Sequence, residues 1–516
     1  MFEIARNKQS LNEYGLAVLL NIGVFVFTPI LGMVFEILSA PLPLFIALGF
    51  VLALYGLYCI AIESILQGLA VSLLVLMTTA ANVPLSTDIV GGIGPQIWLY
   101  QIPLVGIFAI YALRTWSRNH VLVAHLLLGS FAVWTVVSLP FIAGPRVDMA
   151  VWFAVYAIQF TLIFVLVSRL ILDGILSRRS TIGVLGITVV WHVLLGMAQI
   201  INKGPFGISH LGESTRVVDS ISFGLLGAYQ TGPYVSGLAG GAAFASLCVM
   251  ICPILITYAY QSNGLERSTS LLMILFLIIT VRFTAWDASR GGLIVGIGVL
   301  GCIWLANQVG FLEGKNPSKL AVRLFGVLGS LLAFTSVLIG KLRRSSRGKL
   351  WFEPIPKRSD QYALSYLSPG DAVDFVKTIH IPGFDASNLA IRIWMYVIGL
   401  DLFLQHPIFG IGGVNFAYIA EGYGFNDPHE MHNIFVMLLA ETGFPGFLLY
   451  SAALCGVLVT SWRRFNQTGD ILIIGAVAGL IGYIATLNLR SGFVRTPAIF
   501  TFWALAGALV APKLDE

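Results

Sequence analysis

Apolar runs of roughly 20 residues recur from one end of the chain to the other, separated by short polar segments. They fall at 15–33, 42–62, 65–83, 97–113, 121–143, 150–172, 181–201, 234–260, 268–285, 291–309, 322–340, 444–461, 471–489 and 497–511. A helix of ~20 residues crosses a hydrocarbon layer of ~30 Å. The pattern therefore predicts an all-α polytopic membrane protein with about 14 transmembrane helices (12–14), because a helix satisfies its own backbone hydrogen bonds in lipid. The first run has no small-residue cleavage site behind it and reads as a membrane helix, not a removed signal. One polar stretch, 341–432, is out of scale with the other connections. Within it, residues 389–404 (LAIRIWMYVIGLDLFL) are apolar at most positions, interrupted by Arg392, Tyr396 and Asp401. Asp385, Ser387 and Asn388 are positioned to cap a helix there, and Pro407 to stop it. An interfacial helix lying on the membrane and a buried partner helix are the two competing readings. GIGGVNF then predicts a turn at Gly410, Gly412 and Gly413; as a phosphate loop it lacks a preceding strand and a GK[ST].

Composition removes the soluble alternative. Hydrophobic residues make up 57% of the 516 and charged residues 11%, too few charges for two or three soluble domains. The net charge of +5 bears on orientation and lipid contact, not on nucleic acid. With the N-terminus cytoplasmic, the cytoplasmic segments carry fourteen Lys and Arg and the short outer loops six: Arg146, Lys203, Arg216, Arg290, Arg490 and Arg495. The run Lys341–Lys349 (KLRRSSRGK) argues the other way, but long loops weigh less in this rule. Both termini are thus expected in the cytoplasm and the long loop outside. The chain divides into N-terminal transmembrane helices (1–201), transmembrane helices with outer-face arginines (202–340), the long outer loop (341–432) and C-terminal transmembrane helices (433–516).

The five cysteines all lie inside apolar runs and suggest neither a disulfide framework nor a zinc cluster. Chemistry concentrates in His406–Tyr450, which holds His429 and His432 at the edge of a membrane segment. HEMHN misses the zinc-peptidase pattern, because its two histidines stand three apart, not four. No carboxylate or cysteine at ligand spacing supports a metal there. His432 has two readings, a general base near neutral pH or a helix-start histidine bonding the backbone. Arg216, Arg282, Arg290, Arg490 and Arg495 lie at or near the outer surface. They are lipid-headgroup anchors singly, or together the lining of an anion-binding cleft.

HPIFGIGGVNF, then HEMHN, then LLAETGFPG together resemble the signature of the O-antigen ligase/polymerase superfamily. SRGGL at Ser289–Leu293 resembles its Ser-Arg-Gly at the start of a membrane helix, and Arg392 with Trp394 its Arg and Trp ahead of the His-Pro turn. Arg216, with Thr231-Gly-Pro ahead of a span, is similar to its outer arginine upstream of a small-residue turn. The likeness covers roughly 216–450 and is most specific in 406–450. It implies a GT-C-like membrane glycosyltransferase on the periplasmic face of a bacterial inner membrane. The implied donor is a glycan on undecaprenyl diphosphate, and the acceptor a hydroxyl of a glycan or of lipid A core. His432 is then the base, Arg216, Arg290 and Arg392 the diphosphate ligands, and Asn433 and His429 supporting residues. The developing diphosphate charge needs a metal or fixed cations. No DxD, ExD or Asp-Asp pair stands in an outer loop, so arginine forks are expected to serve without metal or other cofactor.

Fourteen spans and a long outer loop favour a polymerase of O-antigen or exopolysaccharide over a ligase onto lipid A core, and a chain-length regulator is a candidate partner for that loop. A transporter or flippase of lipid-linked glycans is the alternative from another class. Buried His125, His192 and Gln199 would suit it, but also simple interhelical hydrogen bonding. A transporter further predicts two related halves, whereas the polar mass here sits in one loop.

Overall fold

The protein is described by a computed structural model, which covers residues 15, 17–18, 20, 65–80, 82–84, 96–113, 122–202, 206, 217–222, 229–233, 239, 241–283, 287–308, 386–422, 431–489 and 496–511. The apolar runs at 42–62 and 322–340, most of 15–33, and the first part of the long loop lie outside these residues. The helices are α1 (Ile65–Leu76), α2 (Gln101–Leu113), α3 (Val123–Val137), α4 (Val147–Leu172), α5 (Arg178–Asn202), α6 (Gly241–Gln261) and α7 (Gly264–Phe283). They continue with α8 (Asp287–Gln308), α9 (Ala386–Gln405), α10 (Asn415–Gly422), α11 (Ile434–Thr468), α12 (Ile471–Leu489) and α13 (Thr496–Val510). Among the described residues, six are long and apolar enough to cross a membrane: α4, α5, α6, α7, α11 and α12. α1, α2, α3, α8 and α13 carry shorter apolar stretches at the other expected spans.

The chain is mostly helical, but two small antiparallel ribbons depart from the all-α expectation. β1 (Asn82–Pro84) pairs with β2 (Gln96–Trp98), and β3 (Val217–Ser222) with β4 (Tyr229–Pro233). The run expected as a span over 65–83 therefore ends its helix at Leu76, where Thr78 and Thr79 turn their hydroxyls back onto Val75 and Leu76 carbonyls. Thr231-Gly-Pro lies on β4, with Gly232 opposite Val218 and Pro233 opposite Val217. It is a strand, not the turn expected ahead of the span, and the helix begins only at Gly241.

Two packing modes hold the bundle. Around α13, aromatic rings fill the space. Trp503 meets Phe164 at 5.4 Å, Tyr450 at 5.6 Å and Phe502 at 5.2 Å between centroids, all edge-on. α13 is buried from Ala498 onward, which suits a helix apolar on every face. α6, α8 and α12 instead approach backbone to backbone. A Cβ on Gly479 would collide with the Met250 carbonyl, and one on Gly292 with the Thr486 side chain. Small residues permit close approach where lipid offers no hydrophobic drive between helices. Of the buried polar groups, His192 bonds between elements as simple interhelical packing predicts, while His125 bonds only within its own helix and leaves Nε2 buried without a partner. His192 Nε2 lies 3.1 Å from the Thr78 hydroxyl, between α5 and the end of α1. His125 Nδ1 accepts from the Leu122 amide at the start of its own helix.

Candidate functional site

The centre of the site is a helix that is broken and then repaired by a turn. α11 runs 35 residues, but Gly443 takes φ 69° and ψ −179°, dividing it into a limb from Ile434 and a limb through Pro445. The span expected at 444–461 is the second limb. A break leaves carbonyls at the end of one limb and amides at the start of the next without partners. The turn His406–Val414 supplies them. Ile411 and Gly412 donate amides to the Ala440 and Glu441 carbonyls, each at 2.9 Å, and the Phe444 amide donates to the Pro407 carbonyl at 2.8 Å. Gly410 (φ +70°) and Gly443 face each other's chain: a Cβ on Gly443 would strike the Ile408 carbonyl, and one on Gly410 the backbone at Glu441. The glycine turn expected from GIGG is therefore one half of a joint, and ETGFPG is the other.

The joint is anchored to the start of α4. Asn415 is fully buried. Its side chain accepts from the Arg146 amide at 2.8 Å and donates to the Arg146 carbonyl at 3.1 Å. Gly144 donates to the Ile411 carbonyl at 2.9 Å. From α3, Trp134 Nε1 donates to the Thr442 carbonyl at 2.8 Å, and its ring stacks on Phe409 at 5.4 Å. The buried Glu441 carboxylate accepts from the Phe416 amide at 3.3 Å, in the first turn of α10. Glu441 and Gly443 thus shape the joint. Arg146 is held by Asp148 at 2.7 Å, and its guanidinium lies 4.8 Å from the centre of the Tyr418 ring.

α11 begins at Asn433, whose side chain accepts from the Phe435 and Val436 amides at 2.9 and 3.1 Å. It is the N-cap of α11. His432 stands one residue ahead, half-buried. Its carbonyl accepts from the Tyr396 hydroxyl at 3.2 Å, and the same hydroxyl lies at a long 3.5 Å from the Asn488 carbonyl, at the end of α12. Tyr396 belongs to α9, which buries Met395, Ile398 and Leu402 and exposes Leu400 and Leu404. Gly399 allows α9 to close on Met431 and Val436. Burial pushes the Tyr396 phenol above its usual range, against the opposing Arg392 charge and a hydrogen bond from Asn433. Tyr396 is therefore a neutral donor at physiological pH.

The structure brings four predicted residues to one end of the bundle. His432 and Asn433 open α11, and Arg392 sits one turn before Tyr396 on α9, close enough for its charge to act there. Arg290 lies in the first turn of α8, whose Gly292 packs on Thr486 of α12. Only its backbone is described. Arg216, His429, Arg490 and Arg495 lie outside the described residues. Ser387 and Asn388, expected as caps of α9, fall inside its first turn. The sequence reading missed Tyr396 and Asn488 as parts of the site, and Asn415 and Trp134 as its supports. The signal for the first two was a polar side chain inside an apolar helix. Among the described residues no three His, Cys, Asp or Glu gather as a metal site.

A search of curated proteins finds no match. Residues 241–451 match the family model described as O-Antigen ligase, from the first residue of α6 to just beyond the joint, and this places the sequence resemblance on a firm footing: it supports for the chain the O-antigen ligase/polymerase superfamily.

Proposed function

We propose that the protein is a glycosyltransferase of the bacterial inner membrane that moves a glycan from undecaprenyl diphosphate to an acceptor hydroxyl at the periplasmic face. The O-Antigen ligase match supports the enzyme class, the membrane setting, and a lipid-linked glycan with an acceptor as substrates. The observation that carries the site is the seating of His432 between the α11 cap and the Tyr396 hydroxyl, in the same end of the bundle as Arg392 and the first turn of α8. His432 takes the acceptor proton as the acceptor oxygen bonds to the anomeric carbon. The diphosphate leaves with the electron pair of the broken C–O bond, and Arg216, Arg290 and Arg392 neutralise it without a metal or cofactor. His429 and Asn433 support the base. The catalytic end belongs to a GT-C-like bundle of about 14 spans, with both termini cytoplasmic and 341–432 periplasmic, between transmembrane parts 1–201, 202–340 and 433–516. Span number and loop length favour a polysaccharide polymerase over a ligase onto lipid A core. A chain-length regulator fits the loop as partner.

The test is surface glycan from cells carrying His432→Ala, compared with wild type and a deletion at matched membrane levels. Loss of a general base lowers transfer by about 10²–10⁴-fold, so the variant should look like the deletion. Single-unit glycan on lipid A core then identifies a polymerase, and bare core with accumulating lipid-linked polymer a ligase. Normal glycan from His432→Ala overturns the assignment and returns transport to contention.

A further inference from the structure

We infer that Asn488 binds a hydroxyl of the acceptor saccharide, through its side-chain carbonyl oxygen, beside His432. This rests on the glycosyltransferase reading above. α12 stands between two parts of the site. On one side Gly482 and Thr486 pack against Gly292 of α8, just past the turn that carries Arg290. Asn488, two residues further on and about 200° round the helix, reaches the other side, where its backbone carbonyl lies 3.5 Å from the Tyr396 hydroxyl that holds His432. The side chain is fixed by its own helix: Nδ2 donates to the Ile484 carbonyl at 2.9 Å. That bond sets the amide orientation, because the reverse would turn Oδ1 onto another carbonyl oxygen. Oδ1 is the amide atom left over, and it is buried with no hydrogen-bond partner. An interior acceptor without a donor costs stability, and a donor that arrives during function is one reason for such a group to persist. The ligand that suits it is a neutral donor such as a sugar hydroxyl. An uncharged amide oxygen also adds no negative charge beside a diphosphate, as a carboxylate would.

The experiment uses the full chain in nanodiscs. The donor is lipid-linked glycan extracted from deletion cells. The acceptor is either the oligosaccharide released from it by mild acid or lipid A core, whichever the wild type extends. Asn488→Leu keeps the shape and removes the oxygen together with the Nδ2 bond to Ile484. The expected result is an acceptor KM raised about tenfold, kcat changed far less, and a melting temperature near wild type, since the lost Nδ2 bond and the removed unpartnered oxygen offset each other. Asn488→Ala, melted and assayed alongside, should show the same KM shift. An unchanged acceptor KM in both variants overturns the inference. His432→Ala in the same assay separates the two readings. If it transfers normally, the site assignment itself fails; if it is inactive while both Asn488 variants match wild type, only the Asn488 inference fails.

Discussion

Pro253 and Pro445 both lie inside membrane-length helices, yet α6 runs through the first and α11 breaks near the second. A proline removes one amide and crowds the carbonyl four residues earlier in either place. At Pro253 the neighbours close in. A Cβ on Gly296 would lie 3.4 Å from the proline ring, and one on Gly475 2.9 Å from its carbonyl, so α8 and α12 press against α6. Near Pro445 the helix breaks at Gly443, and the turn His406–Val414 takes the released groups. The difference shows that proline does not make the break. A glycine that tolerates φ > 0 makes it, and a second segment with its own amides and carbonyls to offer keeps it. One region is built for close approach and the other to hold a fixed opening in a helix beside the GIGG turn.

The comparison is broken most sharply at its glycines. Gly443→Ala combines a left-handed backbone with a collision against the Ile408 carbonyl, and should cost about 3–5 kcal/mol, read as a large fall in melting temperature in detergent and in membrane level. Gly296→Ala meets only contacts of 3.2 Å or more and should cost about 1 kcal/mol or less. Equal losses would mean that the joint is no more constrained than the glycine-packed bundle. A smaller effect is expected at the start of the first limb. Asn433→Ala removes the cap and should lower stability by about 1 kcal/mol, while Asn433→Asp keeps the accepting oxygen and most of the stability. If Asp behaves as Ala, the capping account of Asn433 fails. The smallest effect on folding is expected from Tyr396→Phe, about 0.5–1.5 kcal/mol for one hydrogen bond. Its transfer rate should nevertheless fall about tenfold, because the backbone carrying His432 loses its tether. Wild-type turnover in Tyr396→Phe would detach α9 from the chemistry.

Much of this was legible in the sequence, and for local reasons. Runs of apolar residues announce α4, α5, α6, α7, α11 and α12 without any knowledge of their neighbours. Gly410 and Gly412 announce a turn because few other residues tolerate positive φ. His432 and Asn433 stand out because a polar pair at the edge of a membrane segment needs a reason. Other features were not local. The β3–β4 ribbon depends on Val217 finding Pro233 across a bulge, and the hydropathy of 217–233 does not encode that pairing. Ser387 and Asn388 looked like caps because they precede an apolar run, but the helix had already begun at Ala386. Tyr396 looked like an interruption of α9, and its meaning appears only once α11 and α12 are beside it.

The sequence by itself determined a membrane protein of apolar helices, a long polar segment, and a motif in which turn-forming glycines, histidine and arginine gather. Those properties are sums over neighbouring residues, and the transfer of apolar surface out of water fixes them wherever the helices come to lie. Only the tertiary structure decided that the GIGG turn fills the break at Gly443, that Trp134 reaches the Thr442 carbonyl 308 residues away, and that Tyr396 and Asn488 meet at His432. Those contacts are directional hydrogen bonds between distant parts of the chain, made or lost within a few tenths of an ångström, and the packing of the whole bundle sets that distance.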